Sequence, residues 1–284
     1  MQADQREPGE DEDEDGGVRP QTLMLNLLGR YLLGRGVAVS AASVIEVFAR
    51  VGVGEHAARS TLARMVNRGM LTRHRHGRAM YFGLTEQAER ILKDGEDRIQ
   101  NSGAFRQDWD GIWTLLGFSL PESWQRQRHE LRSQLIWAGF GPLFSGLWIA
   151  PGRVDVGDLV GSLGLESHVK AFYAAAVPGM EVGEMVRETW DLNTIAARYH
   201  GFLTRWQSPD APSRRGDPLA AELLLGCDWL QVIRADPQLP AVHLPGDWPA
   251  AEAEALFVRL DGELGQAADE IARQVLDVRP VTTP

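Results

Sequence analysis

Residues 55–85, EHAARSTLARMVNRGMLTRHRHGRAMYFGLT, decide the fold. From Glu55 to Asn67 the spacing is helical, and Gly69 stops it. On a helical wheel Ala58, Leu62, Met65, Val66 and Gly69 fall on one side. His56, Ser60, Ala63, Arg64 and Asn67 fall on the other, with Arg59 and Arg68 on the flanks. Leu71-Thr72-Arg73-His74 and Ala79–Leu84 then read as two strands joined by the polar Arg75-His76-Gly77-Arg78. A solvated helix with arginines for solubility is the plain alternative for Glu55–Asn67 alone. The hairpin argues against it: Arg73, Arg75 and Arg78 crowd one turn, where like charges repel unless an anion is near.

Working back from this stretch, Thr22–Arg35 has helical spacing and ends at Gly34 and Gly36. Ser40 is placed to cap a second helix through Val44, Ile45, Val47 and Phe48, and Gly52 closes it. Three helices followed by a basic hairpin is the winged helix-turn-helix arrangement. Its third helix enters the major groove and its wing meets backbone or minor groove. Small Ser60 and Ala63 allow close approach. Arg64 suits the guanine edge, Asn67 the adenine edge, and His56 the same polar face. Arg59 and Arg68, with Arg73, Arg75, His76 and Arg78 of the wing, are placed for phosphates.

The net charge of −10 conflicts with a DNA partner only until it is mapped. Residues 1–19 are strongly acidic and nearly free of apolar side chains, as in a disordered tail. Residues 20–85 hold nine arginines against Glu46 and Glu55, and phosphate binding depends on such local surface. A 44% hydrophobic content suffices for packed cores. No apolar run approaches the roughly 20 residues that cross a bilayer, so no membrane partner is expected. The single cysteine, Cys227, and the absence of a signal-like N-terminus point to the cytoplasm.

Working forward, Thr85 begins a fourth helix, and residues 100–108 form a polar linker. A strand at Trp109–Leu120, a helix at Glu122–Ala138, and short strands around Ser145-Gly146 follow. A short helix near Val156–Leu163 and a strand near His168–Ala176 complete a βαββαβ order, the ferredoxin-like arrangement. Beyond Pro178 the chain reads as helices over 181–206, 217–234 and 249–276. The fold class is therefore α+β. The expected domains are an acidic tail (1–19), a winged helix-turn-helix (20–100), a ferredoxin-like domain (101–178) and a helical domain (179–284).

The chain resembles the PaaX family of phenylacetate-degradation repressors. The resemblance rests on residues 55–85, on WDGIWTLLGFSLPES (109–123) and FGPLFSGLWIAP (140–151), and on ADPQLPAVHLPGDWPAAEAEALF (235–257). It implies a homodimeric repressor that binds double-stranded operator DNA and is released by a small effector. In that family's best-known members the effector is phenylacetyl-coenzyme A. Other acyl-coenzyme A thioesters or aromatic acids are the alternatives.

All nine tryptophans lie beyond residue 108, and most belong to cores. For an aromatic, anionic effector the sequence offers Arg187, Trp190, Arg198, Tyr199 and Arg205, since Arg198 and Arg205 share one helical face beside Tyr199. The central segment also resembles a CRISPR-associated spacer-acquisition fold with nuclease members, so a metal-dependent nuclease is the rival. A ligand-independent regulator is another. Nuclease chemistry needs a carboxylate where the first central strand ends, and here that end is Leu116-Gly117-Phe118-Ser119, with Asp110 at the other end. The seven histidines show no metal-ligand spacing, and no nucleophile elbow or phosphate loop is present. No catalytic residue, metal or cofactor is expected.

Overall fold

The computed structural model describes residues 18–101 and 109–281. The acidic stretch before Val18 and most of the expected linker lie outside the described residues. Pro20 opens helix α1 (Pro20–Tyr31) at its first turn, where a missing N–H costs nothing. Gly34 and Gly36 take positive φ and turn the chain into strand β1 (Val37–Ser40). Ser40 accepts the Ser43 N–H at 3.1 Å and caps α2 (Ala41–Arg50). After Gly52 the chain enters α3 (Glu55–Asn67), then the hairpin of β2 (Leu71–His76) and β3 (Ala79–Leu84). Helix α4 (Glu86–Asn101) follows, with the Thr85 hydroxyl accepting the Ala88 N–H. Leu23, Leu27, Phe48, Leu62, Met65 and Phe82 share one core, so α3 is held by its apolar side.

The central segment comprises β4 (Ile112–Phe118), α5 (Gln125–Trp137), β5 (Gly141–Phe144), β6 (Leu147–Pro151), α6 (Gly157–Gly161) and β7 (Val169–Ala175). The sheet order is β5-β6-β4-β7, every neighbouring pair antiparallel. Period-2 alternation divides its residues. Leu116, Phe118, Trp148 and Ala150 pack with Leu131 and Leu135 of α5. Trp113 and Ile149 face the opposite way, into a core built by the remaining helices.

Those helices are α7 (Val182–Thr189), α8 (Leu192–Gln207), α9 (Pro218–Arg234) and α10 (Ala250–Val275). The single helix expected over 181–206 is broken at Trp190-Asp191. Asp191 accepts the Thr194 N–H at 3.0 Å and starts α8 as a fresh cap. Helix α9 is apolar on two sides. Leu225, Trp229 and Val232 enter the C-terminal core, whereas Leu219, Leu223 and the fully buried Cys227 enter the core of the first 100 residues.

A short strand, β8 (Val278–Pro280), then pairs antiparallel with β1, Val39 opposite Val278, making a second sheet of order β2-β3-β1-β8. The Ser43 hydroxyl donates to the Val275 carbonyl and accepts the Asp277 N–H, fastening this return. Residues 20–100 and 179–284, expected as separate parts, thus share a core and a sheet. Their seam is tight. A Cβ on Gly226 of α9 would lie 2.5 Å from the Asn26 amide of α1, which itself donates to the Leu223 carbonyl. Buried Glu222 accepts from Arg30 and from the Tyr31 hydroxyl, both at 2.6 Å. Burial raises its pKa above the usual carboxylate range, against the pull of those two donors.

Candidate nucleic-acid interface

Helix α3 buries Ala58, Thr61, Leu62 and Met65, and this choice of face turns its other side outward. His56, Arg59, Arg64, Asn67 and Arg68 are exposed there, with the small Ser60 and Ala63 half-buried between them. The arginines are not equivalent. Arg59 is paired with Glu55 one turn earlier at 2.8 Å, an exposed bond that water and salt weaken. Arg68 donates to the Gln21 side chain at the start of α1 at 3.1 Å. Arg64 makes a lateral contact of 3.2 Å with Thr61 of its own helix and has no carboxylate partner among the described residues. Glu55 is the one acid in residues 55–85. Thr61 and Gln21, which steady the two arginines nearer the helix end, were not distinguishable in sequence from other polar residues.

The hairpin turns at Gly77-Arg78, with His76 opposite Ala79. Gly77 has φ +61°, the value that the first central residue of a tight type II′ turn requires and that side chains resist. The register assigns the side chains to two faces. Arg73 and Arg75 share a face with Leu71 and Phe82, beyond the point where that face leaves the core. Thr72, His74, His76 and Tyr81 occupy the other, and Gly83 leaves room there for His74 and Val281. The Tyr81 hydroxyl donates to Asp277 at 2.5 Å, and the His76 ring meets the Tyr81 ring edge-on at 5.2 Å. Arg73, Arg75, His76 and Arg78 are all exposed. The hairpin is therefore anchored at its base by residues next to β8 and exposed at its cationic tip.

A basic helix face beside a basic hairpin is a surface built for an anionic polymer, and known proteins share its framework. Residues 19–88 match the family model described as PaaX-like protein, 106–186 the PaaX protein central Cas2-like domain, and 190–274 the PaaX-like protein C-terminal domain. The chain is 29% identical over 265 residues to the transcriptional repressor PaaX of Escherichia coli, covering 88% of this chain and 82% of that one. The chain belongs to the PaaX family. A solved structure of an uncharacterized protein from Mycobacterium tuberculosis has the same fold. It is 22% identical with a TM-score of 0.60, over 89% of this chain and 98% of that one.

In this PaaX-family chain the five residues singled out for an effector do not converge. Tyr199 is buried and hydrogen-bonded to Asp236, and burial raises its phenol pKa. Trp190 sits in the core beside Trp113. Arg205 is paired at 3.1 Å with Asp228, which also accepts from the Trp206 indole. Arg187 and Arg198 are exposed. Neighbouring helical positions point about 100° apart, which sends Tyr199 inward and Arg198 outward.

Asp110, at the start of β4, is ion-paired with Arg153 and accepts the Ile112 N–H. Among the described residues no three His, Cys, Asp or Glu side chains gather as metal ligands, and no helix is long and apolar enough to cross a membrane.

A cavity of about 290 Å³ opens elsewhere, between α1, α4, α9 and α10, with Trp137 from the end of α5 at its side. Five sequence-distant helices form it, so no local pattern announces it.

Proposed function

We propose that the chain is a DNA-binding transcriptional repressor whose residues 20–100 form a winged helix-turn-helix. The carrying observation is the outward face of α3, with Arg64 and Asn67 free of acidic partners among the described residues, next to an exposed arginine hairpin. The assigned role of the Escherichia coli relative, transcriptional repression, supports the same reading. Arg64 and Asn67 read base edges. Arg59, Arg68 and the wing arginines hold phosphates, and Arg59 exchanges Glu55 for a phosphate on docking. His56, Ser60 and His76 line the same approach.

The central β4-to-β7 unit is read as ferredoxin-like, since its βαββαβ chain order and its sheet order suit that fold. The helices beyond it carry the sensing part. The repressor works in the cytoplasm as a homodimer on a partly palindromic operator, with half-sites about 34 Å or a multiple apart. Edge strand β7, with exposed Phe172 and Tyr173, supports a second copy, because such edges are ordinarily covered. A small organic effector of acyl-coenzyme A or aromatic-acid type releases the DNA by binding the released state more tightly.

Selection of duplexes from a randomised pool, followed by titration at several salt concentrations, tests this. An enriched, inverted-repeat sequence bound at least a thousandfold more tightly than scrambled DNA is expected. No enrichment, or magnesium-dependent cleavage of the duplex, sinks it.

A further inference from the structure

The cavity beside Trp137 has the chemistry of a ligand site. Its wall is largely apolar, with Leu25, Leu33, Ile91, Leu92, Leu230 and Phe257, and its size is at the small end of small-molecule pockets. Three acids also line it, and each has a cationic partner. Glu222 and Asp261 lie 2.6 and 3.6 Å from Arg30, and Glu96 lies 2.8 Å from Lys93. Arg234 differs. Its Nε is shielded from solvent with no hydrogen-bond partner among the described residues, and no carboxylate pairs with it. Its guanidinium lies 5.1 Å from the centre of the Trp137 ring. Burial lowers its pKa.

A cation in the last turn of α9 gains from the helix dipole, which accounts for a positive charge there. It does not account for a buried donor without an acceptor, which ordinarily costs free energy. An anion entering the cavity would supply the acceptor.

We propose that this cavity binds a small organic acid or its thioester, with an anionic or carbonyl oxygen at Arg234 and an apolar body against Leu33, Ile91 and Leu230. Calling that ligand the effector rests on the repressor reading above; the site itself does not. The position suits control. The occupant touches α1 and α4 of the DNA-reading part, Trp137 of the central unit, and α9 and α10 of the C-terminal helices. Trp137 also donates to Asp94 of α4 at 3.3 Å, so its displacement reaches α4 directly.

Calorimetry on the full chain, with phenylacetate, benzoate, octanoate and their coenzyme A thioesters as probes, tests the site without DNA. At least one probe binds the wild type. Arg234→Gln weakens it tenfold or more, Arg234→Lys weakens it less, and Leu230→Trp, which fills the cavity, abolishes it. Leu33→Trp, a second lining position, blocks should Leu230→Trp not fold, and Arg187→Gln binds as wild type. No binding by any probe, or binding unaffected by both Arg234→Gln and a blocking tryptophan, overturns the proposal. DNA titration is scored separately. Retained DNA binding with no ligand sinks only the pocket, and ligand binding with no DNA affinity sinks only the repressor.

Discussion

Helices α3 and α8 both carry arginines at helical spacing, yet they meet opposite fates. In α3 the inward residues are Ala58, Thr61, Leu62 and Met65, and none of them is bonded to an acid among the described residues. Arg64 and Asn67 are left to solvent. In α8 the inward residues are Tyr199, Phe202 and Trp206, and two of these need polar partners. Asp236 and Asp228 supply them, and the latter also captures Arg205. Arg64 is left available because the residues α3 buries bring no carboxylate to it among the described residues. In α8 the buried Tyr199 hydroxyl and Trp206 indole each bring a carboxylate with them, and one of these claims Arg205.

The strongest way to break this contrast is Tyr199→Ala. Truncating a buried aromatic of this size costs about 3–5 kcal/mol, and Asp236 also loses its donor. The melting temperature should fall by about ten degrees or more, by calorimetry. A melt within two degrees of wild type would show that α8 is not held this way. Next in size, Arg64→Ala should leave the melting temperature unchanged and reduce discrimination between selected and scrambled duplex by about 1–3 kcal/mol. Filter binding that shows equal loss on both duplexes would reassign Arg64 to phosphate. Arg75→Ala, smaller again, should weaken both duplexes alike and reduce the salt slope by about 1. An unchanged slope would remove the wing from the interface.

The smallest effect concerns pH. Burial raises the Asp236 pKa, so the folded chain holds that proton more tightly than the unfolded one. The wild type should lose stability as pH rises from the ordinary aspartate pKa through the raised one. Above that window the penalty is complete. Asp236→Asn should lack this slope and be at least as stable at neutral pH. Its amide nitrogen can donate to the Tyr199 oxygen, and its amide oxygen can accept the Gln238 N–H. Parallel urea melts from pH 4 to 8 would show whether the two curves differ.

Much of residues 20–100 was legible because their determinants are local. Ser40 caps within three residues, Gly77 turns a two-residue hairpin, and the α3 stripe needs only its own periodicity. What escaped depended on distant partners. Strand β1 has four residues and β8 three, too few for any alternation to register, and each exists through the other. The break at Trp190 was hidden by apolar spacing that continues across it, although Asp191 and Thr194 carried a capping signal. At the proposed interface the exposed face was readable and its supports, Gln21 and Asp277, were not. Arg234 gave no sign, because its environment is assembled from five helices.

The pairing of β8 with β1 also bears on biosynthesis. Strand β1 leaves the ribosome early, whereas its partner is translated about 240 residues later, a delay on the order of ten seconds or more at ~5–20 residues per second. Until α9 and then β8 emerge, the nascent chain displays first an unclosed seam and then one open strand edge. Chaperone holding, or a pause in elongation, has its natural target there.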